Sequence, residues 1–196
     1  RIANRITKRL KKIFHLVLSE IAAETYDTEY GTDKNLGTCA YMLFEEQVID
    51  AMIMDYLNKR PDQGGKIIVD VGCGTGRHSL RLATLFDEVY GYDFSPKMIQ
   101  VAKQKKKRDE RLSHCLFCEA DVEFESIRYE SDIMGKADIV IASFGMGSFV
   151  EDTDKMIKRY YEWLIPGGRL FISFYNSDSV LLNVTPNWRD TSLSAK

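Results

Sequence analysis

Apolar residues along this chain keep two different rhythms, and the change falls near residue 66. Upstream, Ile2, Ile6, Leu10, Ile13, Val17 and Ile21 recur at helical spacing, with Arg5, Lys8, Arg9, Lys11 and Lys12 on other faces. Residues 26–36 are polar and read as a loop. Residues 41–57 read as a second helix, closed by Lys59-Arg60-Pro61 and Gly64-Gly65. From Lys66 onward short apolar runs, among them 67–71, 89–92 and 112–119, alternate with helical patterns, which predicts an α/β fold built on a parallel sheet. The chain thus divides into an N-terminal helical cap, 1–60, and an α/β core, 61–196, with no internal repeat or low-complexity linker.

The first apolar run, Ile67 to Val71, leads straight into Gly72, Gly74 and Gly76 and then into a helical pattern. Bare backbone at these alternate positions permits a tight strand-to-helix turn and the close approach of a ligand. A helix starting near Arg77 would aim free N–H groups at that ligand. Seventeen residues past Gly76 the second run ends in Asp93, where a doubly wound sheet presents an acid to a ribose. Nicotinamide dinucleotides call for G-x-G-x-x-G. This chain has G-x-G-x-G with Asp70 two residues ahead, which moves dinucleotide binding to second place.

Asp70-Val71-Gly72-Cys73-Gly74-Thr75-Gly76, followed by Tyr92-Asp93-Phe94-Ser95-Pro96-Lys97-Met98-Ile99, resembles the class I S-adenosylmethionine-dependent methyltransferases. Glu119-Ala120-Asp121-Val122 resembles that family's acidic turn after the third strand, and Ala137 to Phe144 its fourth strand. Trp163 to Phe171 resembles its following helix, turn and fifth strand, so five motifs stand in order over residues 66–175. The resemblance implies a Rossmann-like, doubly wound sheet of order 3-2-1-4-5, with the ligand at the carboxyl ends near the switch between strands one and four. It also implies S-adenosyl-L-methionine as cofactor. Gly72, Gly74 and Gly76 would pack on its amino-carboxypropyl tail, with Asp70 near the amino group. Asp93 would accept from the ribose hydroxyls, Asp121 from the adenine amino group, and the Val122 N–H would serve a ring nitrogen. Phe94 and Met98 would cover the adenine, and Ser143 would sit beside the sulfonium and the acceptor. Taken singly, Phe94 and Met98 read as core residues and Asp138 as the opening of a strand.

Composition narrows the function. The chain is 196 residues long, 44% hydrophobic and 29% charged, enough for one core, and its net charge of −2 gives no global reason to expect nucleic acid. No apolar run approaches a membrane span, the start lacks a signal-peptide core, and the cytoplasm is the expected location. Cys39, Cys73, Cys115 and Cys118 form no disulfide framework. Cys115-Leu116-Phe117-Cys118 invites a metal reading, but residues three apart on a strand face opposite sides, so structural thiols and no metal are expected. The lysines and arginine of 103–108 fit the solvated end of a helix. The leader, with six Lys/Arg and no acid in its first twelve residues, fits either an anionic surface or, as the resemblance implies, a helix capping the substrate pocket.

Acceptor chemistry is read mostly by elimination. After strand four stands Ala142-Ser143-Phe144-Gly145-Met146-Gly147-Ser148-Phe149, which is neither the Asp/Asn-Pro-Pro-Tyr/Phe pattern of enzymes acting on base amino groups nor a cysteine nucleophile for pyrimidine carbon. Phe144, Met146 and Phe149 suggest an apolar wall for a small-molecule acceptor. His15 and His78 are the histidines near the site, and neither is read as catalytic. The alternatives are an RNA or protein methyltransferase domain of a larger protein, or a cofactor-binding module without catalysis. A spermidine-synthase-like use of the same cradle lacks its acid, because Ser143 stands there. The resembled family ends its sheet with two more strands, for which residues after Tyr175 offer no convincing pattern. The expectation is a fragment of a longer polypeptide, or a short form whose sheet edge is covered by its own termini, an oligomer or a partner domain.

Overall fold

Strands β1 (Ile67–Val71), β2 (Glu88–Asp93), β3 (Cys115–Glu119), β4 (Ala137–Ala142) and β5 (Leu164–Ile172) pair in parallel in the order β3-β2-β1-β4-β5. The computed structural model describes residues 2–30, 36–60, 65–124 and 126–175. Its helices are α1 (Ile2–Ala22), α2 (Tyr26–Tyr30), α3 (Leu36–Asn58), α4 (Arg77–Leu82), α5 (Pro96–Lys106), α6 (Glu130–Ile133) and α7 (Thr153–Trp163). The order is the one the resemblance implied. It reverses between β1 and β4, which opens a crevice at the carboxyl ends of those strands.

The strands are apolar on both faces because helices cover both. Ile67, Val69, Val71, Tyr90, Tyr92, Val140 and Ala142 point to one side, where α6 and α7 bring Ile133, Met156, Tyr160 and Trp163. Ile68, Val89, Ile139 and Ile141 point to the other, against Ile49, Ile53 and Tyr56 of α3, Leu82 of α4 and Ile99 of α5. Cys115 lies in the second layer and Cys118 in the first, so β3 holds the two thiols on opposite faces of the sheet. Gly91 of β2 lets Phe117 lie flat on the strand, since a Cβ there would stand 2.6 Å from that ring.

Two local expectations are corrected. The stretch read as a loop contains α2, which docks on the glycine turn: the Thr75 hydroxyl donates to Asp27 at 2.8 Å, and Lys105 pairs with the same carboxylate. Strand three begins at Cys115 rather than 112, because Asp109 caps a tight 3₁₀ turn, Glu110–Leu112, by accepting the Arg111 N–H. Lys105 also donates to the Thr75 carbonyl at 3.0 Å, so the basic cluster at the end of α5 is partly structural.

Asp138 ties α3 to the sheet. It accepts the Tyr56 hydroxyl at 2.6 Å and the Ile67 N–H at 2.8 Å, and it is 5% exposed. Burial, then the neighbouring Asp138, pushes the Tyr56 phenol up to about 12, so it remains a donor at neutral pH. Tyr56→Phe leaves a buried carboxylate oxygen without that donor, a cost of about 1.5–3 kcal/mol. The expected result is a melting temperature lower by roughly 2–4 °C per kcal/mol in a chain of this size. Equal melting of variant and wild type would show that the contact contributes nothing net.

Candidate active site

The glycine turn is held by the strand beside it. The N–H groups of Gly72 and Cys73 donate to the Tyr92 carbonyl at 2.7 and 3.0 Å, and the Gly74 N–H donates to Asp93 Oδ2 at 2.9 Å. Asp93 Oδ1 accepts the Ser95 N–H at 2.8 Å, and Ser95 in turn caps α5 by accepting the Met98 N–H. One carboxylate thus fixes both the loop after β1 and the start of the helix after β2. Gly74 has φ +52°, and a Cβ on it would meet only the Met98 sulfur, 4.0 Å away. Gly76, at φ +79°, is closed in by comparison, with Phe117 at 3.0 Å and Ala102 at 3.2 Å from the same hypothetical atom. Gly74 is therefore bare toward open space, and Gly76 is bare because the core fills the room.

Asp70, at the end of β1, is 1% exposed. Its Oδ2 accepts the Ser79 N–H at 3.1 Å and the Ser79 hydroxyl at 2.6 Å, so the first turn of α4 is already capped in part by this side chain. Its Oδ1 is buried with no hydrogen-bond partner among the described residues. Such an atom is costly unless something satisfies it. Burial pushes the Asp70 carboxyl up to about 6 against the pull of Ser79, and burial raises Asp93 to about 6 against the N–H groups of Ser95 and Gly74. Both carboxylates hold their charge at neutral pH with little to spare.

Beyond β3, Asp121 and Glu123 receive a cation from a distant part of the chain. Lys12 of α1 donates to Asp121 Oδ1 at 2.7 Å and to Glu123 Oε2 at 3.1 Å. Two turns later on the same helix, Glu20 accepts the Ser95 hydroxyl at 2.6 Å and the Lys97 N–H at 3.1 Å. Helix α1 so bridges the ends of β2 and β3, latched by one residue of each sign. Val122 is buried between these acids, with its carbonyl accepting from Arg159. Met98 is buried under Gly74, and Phe94 is half-buried.

At the end of β4, Ser143 is 4% exposed and the next residue is strained. Phe144 has φ +54°, a conformation that L residues with large side chains rarely adopt. Its N–H donates to both oxygens of Glu45, at 3.1 and 3.0 Å, and its ring stacks on His78, centroids 5.0 Å apart. Ser173, just past β5, accepts the Gly145 N–H at 2.7 Å and also bonds Glu45. Burial pushes the Glu45 carboxyl up. Burial, then the Arg81 cation, brings His78 down to about 4, so it is neutral at physiological pH, and its Nε2 is buried without a partner among the described residues. The His78 side chain is buried. Strain of this kind at a turn held by surrounding groups is characteristic of functional sites.

Sequence reasoning placed Asp70, the three glycines, Asp93, Phe94 and Met98 together; the structure ties Gly74 to Asp93, sets Met98 against Gly74 and puts Asp70 at the end of β1 before the glycine turn, with Phe94 half-buried after β2. It passed over Lys12, Glu20, Glu45 and Glu123, whose partners lie tens of residues away. For Glu123 a local signal exists, since it stands two residues past Asp121 in the same acidic turn.

Residues 62–195 match the family model described as a methyltransferase domain. Phosphoethanolamine N-methyltransferase 3 of Arabidopsis thaliana is 32% identical over 124 residues, covering 62% of this chain and 23% of that protein. A ubiquinone biosynthesis O-methyltransferase of Xanthomonas oryzae pv. oryzae is 30% identical over 126 residues, covering 63% of this chain and 48% of the relative. The chain thus spans half or less of the length of these relatives. A TehB-like S-adenosylmethionine-dependent methyltransferase from Corynebacterium glutamicum shares the fold at a TM-score of 0.57, with 20% identity over 89% of this chain and 80% of that one. With a family match over more than half of its length and the sheet order 3-2-1-4-5, this chain belongs to the class I S-adenosylmethionine-dependent methyltransferases of Rossmann-like fold.

Proposed function

We propose that this chain is the cofactor-binding core of an enzyme that methylates a small molecule at N, O or C, using S-adenosylmethionine. The observation that carries the reading is the pairing of an open Gly74 with two buried carboxylates, one of which leaves an oxygen free. The free Asp70 oxygen suits the cofactor's ammonium group. Asp93, already fixed on Gly74 and Ser95, keeps lone pairs for the ribose hydroxyls. Gly74 flanks the aliphatic tail, Gly72 and Gly76 shape the turn with Met146 and Phe117 filling their open sides, Phe94 and Met98 lie under the adenine, and Asp121 with the Val122 N–H reads its edge. Because Lys12 sits on Asp121, it shares or yields that carboxylate on binding.

When bound, the cofactor supplies an electrophilic methyl group on sulfur. The chain's contribution is then alignment, which removes the entropic cost of bringing acceptor and methyl together. Ser143 and the strained Phe144 present the acceptor side, and the helices of 1–60 close it, with Glu45 of α3 fixing the Phe144 backbone. His78, neutral and buried against the Phe144 ring, supports that turn and is given no part in proton transfer, which an acceptor that is already nucleophilic does not need. The small-molecule class is supported by the names of the two relatives and by the apolar residues Phe144, Met146 and Phe149 in the turn after β4.

Calorimetry with S-adenosylhomocysteine and, separately, with NAD tests the reading. Binding of the first and none of the second is expected, and tighter NAD binding would overturn it. Turnover is then sought by methyl-label transfer to a panel of small amines, phenols and phosphorylated amino alcohols. Cofactor binding with no turnover on small molecules, but transfer to RNA or protein, would replace the acceptor class while leaving the cofactor site intact.

A further inference from the structure

A surface helix normally turns its apolar stripe toward the core. Helix α1 does the reverse. Its inward contacts are Lys12 on Asp121 and Glu123, Glu20 on Ser95 and Lys97, and the His15 ring on Phe149, while Leu10, Ile13, Phe14, Val17, Leu18 and Ile21 are 44–75% exposed. That stripe runs for about 16 Å at 1.5 Å per residue. The helix is latched to the body of the domain at its middle, by Lys12, and in its last turn, by Glu20, and the stripe of residues 10–21 faces outward in that position.

We propose that this outward face of α1 is a docking surface for an anionic lipid bilayer. The charge pattern selects that occupant. Six Lys/Arg fall in the first twelve residues, of which Lys12 is held inward by Asp121 and Glu123, and Glu20 is the first acid in the sequence. Arg9 and Lys11 each lie one position from Leu10, hence about 100° to either side of the apolar stripe, where long cationic side chains reach a headgroup layer while the stripe enters the acyl boundary. A second copy of the chain is the poorer fit, because its own apolar stripe would bring Arg9 and Lys11 with it into the contact, whereas an anionic surface answers both cations. Among the described residues no helix is long and apolar enough to cross a membrane, so the contact is with its surface.

The test is flotation of the intact chain with vesicles of phosphatidylcholine alone and of phosphatidylcholine with phosphatidylserine. Flotation with the anionic vesicles, falling as salt is raised, is expected. Arg9→Gln with Lys11→Gln should lower partitioning roughly 25-fold, taking about fivefold per cation. Val17→Asp with Ile21→Asp should abolish it, while melting stays with wild type because both positions are solvent-facing. Failure of the wild type to float, or equal flotation of the Val17 and Ile21 variant, would overturn the proposal. So would a dimer in sedimentation velocity that the aspartate variant dissolves while wild type ignores vesicles, since the face would then be an interface between copies. None of these outcomes depends on methyl transfer.

Discussion

Lowering the pH from about 7 to about 5 is expected to weaken S-adenosylhomocysteine binding about a hundredfold, roughly tenfold for each of two carboxylates that must be ionised in the complex. The carboxylates are Asp70 and Asp93, both lifted to about 6 by burial. In the free protein each takes up a proton as the pH falls through 6. An ammonium group and a pair of ribose hydroxyls all donate, so the bound state favours the charged forms, and binding must expel those protons. Calorimetry in a series of buffers reads both the affinity and the protons released. Affinity that is flat over this interval would mean that neither carboxylate meets the ligand.

Stability should not follow affinity, which separates this effect from acid unfolding. An acid whose folded pKa is raised stabilises the folded state most below its unfolded value, near 3.8, and that stabilisation is lost as the pH rises through 6. Asp70 and Asp93 therefore favour the folded ligand-free chain on acidification. His78 works the other way: held down to about 4, it resists the proton that the unfolded chain takes up near 6.5. The opposing contributions nearly offset, so melting between about pH 5 and 7 should change little while binding falls steeply. Asp93→Ala is a blunter probe than its ribose contact alone suggests, because the same side chain ties Gly74 to Ser95.

What the sequence revealed and what it hid follow from contact distance. Ile67–Val71 and Ala137–Ala142 are legible because strands covered on both faces must be continuously apolar, and Ser95-Pro96 announces α5 by local capping chemistry. The glycine turn is legible because positive φ at 72, 74 and 76 is written in residue type. Periodicity showed that α1 is amphipathic but could not say which face goes inward. That was decided by Lys12 and Glu20 finding partners 109 and 75 residues away. Glu45 on Phe144, 99 residues distant, and Tyr56 on Asp138, 82 distant, were hidden for the same reason. Residues after 175, where further strands were sought, lie outside the described part of the chain.

The largest loss of binding with the least damage to the fold is expected from Gly74→Val. A side chain at φ +52° costs about 1–2 kcal/mol in backbone strain, and the melting temperature should drop by only a few degrees. The new Cβ has room, since the nearest atom to it among the described residues is the Met98 sulfur at 4.0 Å, and the methyl groups extend beyond it. They project into the room left beside the Asp93-bound loop, and S-adenosylhomocysteine binding should fall below detection. Gly76→Val supplies the contrast. There the Cβ meets Phe117 at 3.0 Å and Ala102 at 3.2 Å in the packed core, so melting should drop much further. Thermal melts with and without S-adenosylhomocysteine distinguish the two, because a ligand that still binds raises the melting temperature by mass action. If Gly74→Val keeps the full ligand-induced rise, the open space beside Gly74 is not where the cofactor lies, and the cradle must be sought elsewhere along the carboxyl edge of the sheet.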